Sequence, residues 1–316
     1  MFKRYELHNH TLESDAPISC KELVDRMVAD KVDCFAITDH NTISPHHIIR
    51  KILAEEKIDL PCIYGMEYTT YFGHIVCPFL EQYVPWDSIN RHKPERLFEA
   101  CKKANAITGI AHPFAYYEPL AQGCRFEMDI HDFSNVDYIE IVNNPEPLRE
   151  VNAPAIRWWE ELVLSGIRVA AGAGMDLHKV TDRFAMRFAT YAEGEEGGDP
   201  IAELRAALAA QRTWISKGML VNWVVEGDTV RFELCDVHKP GFIPSETYTL
   251  TLKNKNGTRS FDLTEGTLAL PLSELDEVEI PKLYGGEVVL ENLICVAPVI
   301  RKETDAGKIP LHRLSV

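Results

Sequence analysis

The sequence predicts an α/β protein built as a parallel barrel, or something close to one, followed by a small antiparallel β domain. Three observations predict it. Over residues 1–217, short apolar runs alternate with helix-patterned stretches about seven times, and strands spaced by helices make parallel βα units. Beyond Lys217 the pattern becomes short alternating runs separated by turn residues, with no helix of any length. Several apolar runs of the first part end in His, Asp or Glu, and α/β folds gather function at the carboxyl ends of their strands.

In order along the chain, the strand-like runs of the first part are 5–10, 34–39, 62–67, 106–112, 138–142, 168–172 and 189–192. Helices are expected over 19–29, 44–56, 94–105, 153–165 and 200–211. Ser19 stands three residues before Glu22, the spacing of a capping box, and Asp199-Pro200 offers an N-cap followed by proline at the first helical position. Trp158 and Trp159 are read as packing residues of the fourth helix. Residues 193–199 form a polar loop within the first domain. In the β domain, 218–316, strands are expected over 221–225, 229–235, 247–252, 259–263 and 288–298, with Asn256-Gly257 as a hairpin turn.

The 316 residues suffice for one large core, or a large domain plus a small one. No apolar run approaches the roughly 18 residues of a membrane span, and the first residues lack a secretory pattern. The expectation is a cytoplasmic protein with no membrane partner. A net charge of −15 disfavours long nucleic acid as a partner. It leaves room for a small phosphorylated substrate, because bound divalent ions can dominate the electrostatics of a site. The eight cysteines form no C-x-x-C pair and lie mostly in apolar segments, which reads as reduced, buried thiols.

The chemistry begins at His8-Asn9-His10, where residues i and i+2 of a strand share a face. Thr38-Asp39-His40-Asn41, Gly65-Met66-Glu67, Ala111-His112-Pro113 and Gly174-Met175-Asp176-Leu177-His178 each follow or end an apolar run. A buried core would not select such residues, since unpaired buried charge is costly. Their joint placement points to one rim.

These pieces, with Leu7-His8-Asn9-His10-Thr11, Ser14-Asp15, Thr42 and His74-Ile75-Val76, resemble the PHP superfamily of polymerase and histidinol phosphatase domains, over about residues 5–180. The resemblance implies a distorted (β/α)7 TIM-like barrel with a trinuclear metal site, in the stand-alone phosphoesterase branch. It implies that His8, His10, Glu67 and Asp176 hold one ion. Glu67 would bridge to a second ion, completed by His74 and His112. Asp15, His40 and His178 would hold the third. A His and carboxylate set suits manganese, zinc or iron, two or three ions in all. Two departures stand out. Met175 replaces the serine common before the last Asp, and the segment between His74 and His112 is short for a branch that often inserts a small domain there.

Ions about 3.5–4 Å apart would make a shared water acidic enough to attack a phosphate ester. No Ser or Cys nucleophile motif is present. Asp39 either orients a ligand imidazole or is a turn residue. Arg125 and Arg183 are candidates to clamp phosphate, against a reading as surface or ion-pairing residues. Asn143 and Asn144 are expected to line the pocket, while Glu140 faces the rim or the barrel wall. His46 and His47 are expected in solvent, and His92, His131, His238 and His312 carry no assigned role. The expected activity is hydrolysis of a small-molecule phosphate ester, a nucleotide or sugar phosphate. The alternatives are an exonuclease on short RNA or DNA, a hydrolase for other bonds such as amides, and a regulatory metal-binding module.

Overall fold

The computed structural model describes residues 1–87, 89–115, 123–143, 151–179, 187–237 and 244–302. Strands β1 (Phe2–Glu6), β2 (Cys34–Ile37) and the start of β3 (Cys62–Thr70) pair in parallel, with α1 (Cys20–Ala29) and α2 (Pro45–Glu56) as the returns. The capping box is formed: the Ser19 hydroxyl accepts from the Glu22 N–H, and the Glu22 carboxylate accepts from the Ser19 N–H at 2.8 Å.

β3 outruns β2 and turns back into an antiparallel strand, β4 (Gly73–Pro78), that the sequence did not announce. All six β4 residues are buried, so it lacks the alternation that marks a half-buried strand. After α3 (Glu95–Lys103), β4 pairs antiparallel with the short β5 (Gly109–Ile110). β5, β6 (Tyr138–Asn143) and β7 (Ala170–Gly174) then run parallel, with α4 (Asn152–Leu164) between the last two. On the other side β8 (Ala189–Glu193) pairs antiparallel with β1, and α5 (Pro200–Ala210) leads to β9 (Trp214–Ser216), which pairs with β8.

The wall therefore reads β8–β1–β2–β3–β4–β5–β6–β7. It departs from a seven-unit parallel barrel at the β3–β4 hairpin and at the β7–β8 seam. No backbone ladder joins β7 to β8 among the described residues. Instead Thr190 Oγ1 accepts from the Ala173 N–H at 2.9 Å and lies 3.2 Å from the Ala173 carbonyl.

The remaining strands are β10 (Met219–Glu226), β11 (Thr229–Asp236), β12 (Thr249–Asn254), β13 (Gly257–Asp262), β14 (Thr267–Pro271), β15 (Val278–Tyr284), β16 (Leu293–Val296) and β17 (Ile300–Arg301). Neither β14 nor β15 was expected. The β12–β13 hairpin turns on Lys255 and Asn256, one residue before the expected Asn256-Gly257 pair. β10, β11 and β14 make a small separate sheet, but β13–β12–β15–β16 continues through β9 into the wall. Ala189, Tyr191 and Trp214 share one apolar cluster with Leu220, Trp223, Leu250, Leu283 and Cys295. The boundary expected at 217/218 thus cuts through one sheet and one core. On the other side, buried Glu160 of α4 lies between Lys253 Nζ at 2.5 Å and Lys282 Nζ at 2.6 Å.

All eight cysteines are free and six are buried. Trp159 is buried, and its Nε1–H donates to the Val169 carbonyl. No helix among the described residues is long and apolar enough to cross a membrane. His46 corrects an expectation. It is 3% exposed, and its Nε2 lies 2.7 Å from the Gly65 carbonyl, which pins α2 to β3 two residues before Glu67. Losing a buried ring together with its bond costs about 2 kcal/mol. His46→Ala is therefore expected to lower the urea-unfolding free energy by that amount; an unchanged midpoint would show the contact to be idle.

Candidate metal centre

The side chains of the centre come from the rim of the wall. His8, His10 and Asp15 follow β1, His40 follows β2, Glu67 lies within β3 and His74 within β4. His112 follows β5, and Asp176 and His178 follow β7. Isolated bridges tie these extensions together, Asn9 to Leu177 and His40 to Glu67. The nine residues named from the sequence converge. Their donor atoms form four overlapping groups, within each of which the atoms lie within 4.8 Å of one another. The groups are His10, Asp15, His40 and His178; His8, His112 and Asp176; His8, His10 and Glu67; and His40, Glu67 and His74. The groups overlap and do not divide the donors among separate ions: His8 and His10 stand with Glu67, Asp15 and His40 with His178, and Glu67 Oε1 lies 3.1 Å from His74 and 3.3 Å from His112. His112 groups with His8 and Asp176, and His40 joins Glu67 and His74 as well as Asp15 and His178.

Glu67 is the hub. Its fully buried carboxylate lies 3.3 Å from His8 Nε2, 3.6 Å from His10 Nε2, 2.7 Å from His40 Nδ1, 3.1 Å from His74 Nδ1 and 3.3 Å from His112 Nε2. Asp176 faces it, 3.0 Å from His10 Nε2 and 3.5 Å from His8 Nε2. The outer side is more open: the Asp15 side chain is 57% exposed and that of His178 31%, against none for Glu67, His8 and His10.

Several rings are tied at the back. The Nδ1 of His8 lies 2.9 Å from Glu140 Oε1, that of His112 2.9 Å from the Cys124 carbonyl, and that of His178 2.8 Å from the Asp176 carbonyl. An acceptor at Nδ1 makes it the donor, which leaves Nε2 with its lone pair facing inward. His8 Nε2, both nitrogens of His10 and His74 Nε2 are buried without an aligned hydrogen-bond partner among the described residues. Buried polar atoms are rarely left so. Imidazole nitrogens gathered with carboxylate oxygens within 4.8 Å of one another fit a bound cation, and imidazole with carboxylate suits divalent ions of borderline or hard character.

The backbone is strained at two of these positions. His112 has φ 26° and Asp176 φ 51°, a left-handed region that non-glycine residues enter at a cost of about 1–3 kcal/mol. The electrostatics follow from crowding. Burial pushes the His10 imidazole down to about 4. Burial lowers His112 and His178 too, but the Glu67 and Asp15 carboxylates respectively overcome it and lift each to about 9. The His178 contact draws Asp15 down to about 2. Burial raises Glu67 and Asp176, yet the surrounding imidazoles hold both well below the usual carboxylate range.

Other expectations divide. Asp39 contacts no imidazole by hydrogen bond. It accepts from the Thr11 N–H at 2.9 Å, the Thr11 hydroxyl at 3.0 Å and the Ser14 hydroxyl at 2.6 Å, bracing the loop that carries Asp15. Its role is loop support because the turn puts its carboxylate under residues 11–14. Arg125 is exposed, follows the Cys124 carbonyl that holds His112, and lies over the Phe114 ring at 5.9 Å. Arg183 and Asn144 lie outside the described residues. Asn143 is buried and donates to Glu140 at 2.8 Å. Glu140, expected at the rim or the barrel wall, was given no role, although a signal existed: glycines at 172 and 174 in β7 leave room beside Tyr138 and Glu140 of β6. A Cβ at Gly174 would lie 2.1 Å from Glu140 Oε1, and one at Gly172 2.5 Å from Tyr138 Cδ2.

No family model matches the chain. The structure is similar to a two-domain Bacteroides vulgatus protein described as containing a predicted PHP-like metal-dependent phosphoesterase, with a TM-score of 0.56 over 95% of both chains at 16% identity. The chain has the PHP-like fold. Short stretches also match two curated proteins named as 5'-3' exoribonucleases. The Haemophilus influenzae protein is 37% identical over 70 residues, and the Salmonella typhimurium protein 36% identical over 66. These stretches span 25% and 22% of those relatives and 22% and 21% of this chain. The PHP-like fold accounts for the donors' convergence: each stands just after a strand, in the β3–β4 hairpin or, for Asp15, in the loop after β1.

Proposed function

We propose that the chain is a PHP-superfamily hydrolase, a metal-dependent phosphoesterase acting on a small phosphorylated molecule such as a nucleotide or sugar phosphate. One observation carries the reading: nine imidazole and carboxylate side chains, drawn from distant stretches of the sequence, converge in one cluster with Glu67 as its hub. His8, His10, Asp15, His40, Glu67, His74, His112, Asp176 and His178 would hold two or three ions of manganese, zinc or iron. Such ions would supply the Lewis acidity that activates a water and neutralises phosphate oxygens. The chain's own part is to aim the donors, with ring tautomers set by Glu140, Cys124 and Asp176 and the Asp15 loop set by Asp39. Arg125, exposed and next to the Cys124 carbonyl that holds His112, is the candidate to meet a phosphate.

The match to exoribonucleases supports a second reading, cleavage of short oligonucleotides. The net charge of −15 favours the smaller substrate. The test is a hydrolysis screen of chelator-treated protein, with and without added manganese. It covers p-nitrophenyl phosphate, nucleoside monophosphates, sugar phosphates and short oligonucleotides. Turnover is expected only with metal and best on the small esters. Equal turnover by the stripped protein would overturn the reading, and preference for oligonucleotides would move it to the second.

A further inference from the structure

Glu140 lies within β6, wholly buried, and three donors converge on its one carboxylate. His8 Nδ1 lies 2.9 Å from Oε1, and the His112 N–H and Asn143 Nδ2 lie 3.1 Å and 2.8 Å from Oε2. Asn143 is held in turn by Asn152 at the start of α4, whose Oδ1 accepts from the Asn143 N–H at 3.0 Å. The neighbouring strand is shaped around the group, since any side chain at Gly174 would collide with Oε1.

We propose that Glu140 is a positioning residue of the metal centre: it orients the His8 imidazole and holds the His112 peptide, so that Nε2 atoms from two distant strands face one point. The proposal rests on the reading of the cluster as a metal site. The argument is one of acceptor capacity. A carboxylate only accepts and has room for all three donors. A glutamine of the same shape has one acceptor oxygen and would turn its amide hydrogens toward at least one donor. Either the His8 ring would then lose the bond that sets its tautomer, or the strained His112 backbone would lose a tether. Partners behind ligating imidazoles are worth about 10–100-fold in metal affinity.

The test is a cobalt(II) titration of the full, chelator-treated chain, followed by visible absorption, on wild type, Glu140→Gln and Glu140→Asp. The aspartate keeps the charge and shortens the reach. Wild type is expected to bind cobalt with a ligand-field band. Both variants should bind at least one ion about 10–100-fold more weakly, with a shifted band. Thermal unfolding of the metal-free proteins provides the control. If Glu140 merely supports the fold, its loss lowers that melting temperature and leaves the affinity and spectrum of the folded protein unchanged, which overturns the proposal. Variants indistinguishable from wild type overturn it too. Should Glu140→Gln fail to fold, Glu140→Asp carries the comparison alone. A wild-type chain that binds no cobalt would instead remove the metal reading itself, and the proposal with it.

Discussion

Glu67→Gln is expected to abolish metal loading and to reduce turnover of p-nitrophenyl phosphate at least about 10³-fold, with the folded state retained. Among the described residues Glu67 is the only carboxylate that approaches five of the cluster's imidazoles, at 2.7–3.6 Å. The substitution keeps the shape but removes the charge that offsets several cations at once. Metal ions contribute several kcal/mol of charge stabilisation in a hydrolytic transition state, and about 1.4 kcal/mol is a factor of ten. Elemental analysis and steady-state kinetics on the same preparation check the result. A variant with full metal content and wild-type turnover would show that the hub is not where catalysis is held.

Stripping the divalent ions is expected to lower the melting temperature by roughly 10 °C, and the gap should widen between pH 6.5 and 9. Ions held at about a thousand times their dissociation constant add about 4 kcal/mol, and each kcal/mol moves the melting point of a domain this large by about 2–4 °C. The pH trend comes from His112 and His178, each lifted to about 9 in the metal-free chain. A folded value above the ordinary one of about 6.5 means stabilisation by protonation. That contribution is complete below about pH 6.5 and is lost as pH rises through 9. The loaded protein moves the other way, because ligating imidazoles must be neutral and protons compete less as pH rises. Calorimetric scans with and without chelator across this window decide the matter. A gap that closes with rising pH, or no effect of the chelator, would contradict the assignment.

Seven of the nine donors were legible because each sits beside a short apolar run, at a strand end; Asp15 and His74 had no such local signal and came only from the family resemblance. The distances around Glu67 were not legible, since they depend on the long β3 and on its hairpin with β4. His46 misled because Pro45 marks a helix start, and starts are commonly wet; burial there comes from β3, far off in sequence. Glu140 hid inside an ordinary strand run, and only its pairing beside Gly172 and Gly174 of β7 gives it meaning. The boundary at 217 was drawn where helices cease. The change in pattern there is real, but β9 and β16 carry the hydrogen bonds straight across it.

That continuity limits how the molecule can be taken apart. A chain cut after Lys217 would keep every donor of the centre, yet it would expose the open edge of β9 and the apolar faces of Tyr191 and Trp214. Bare strand edges beside oily side chains invite clumping with other copies. The strands from β10 to β17 therefore act as a built-in cover for the portion that bears the chemistry, and shortened versions made to isolate that portion would forfeit solubility before they forfeited any ligand.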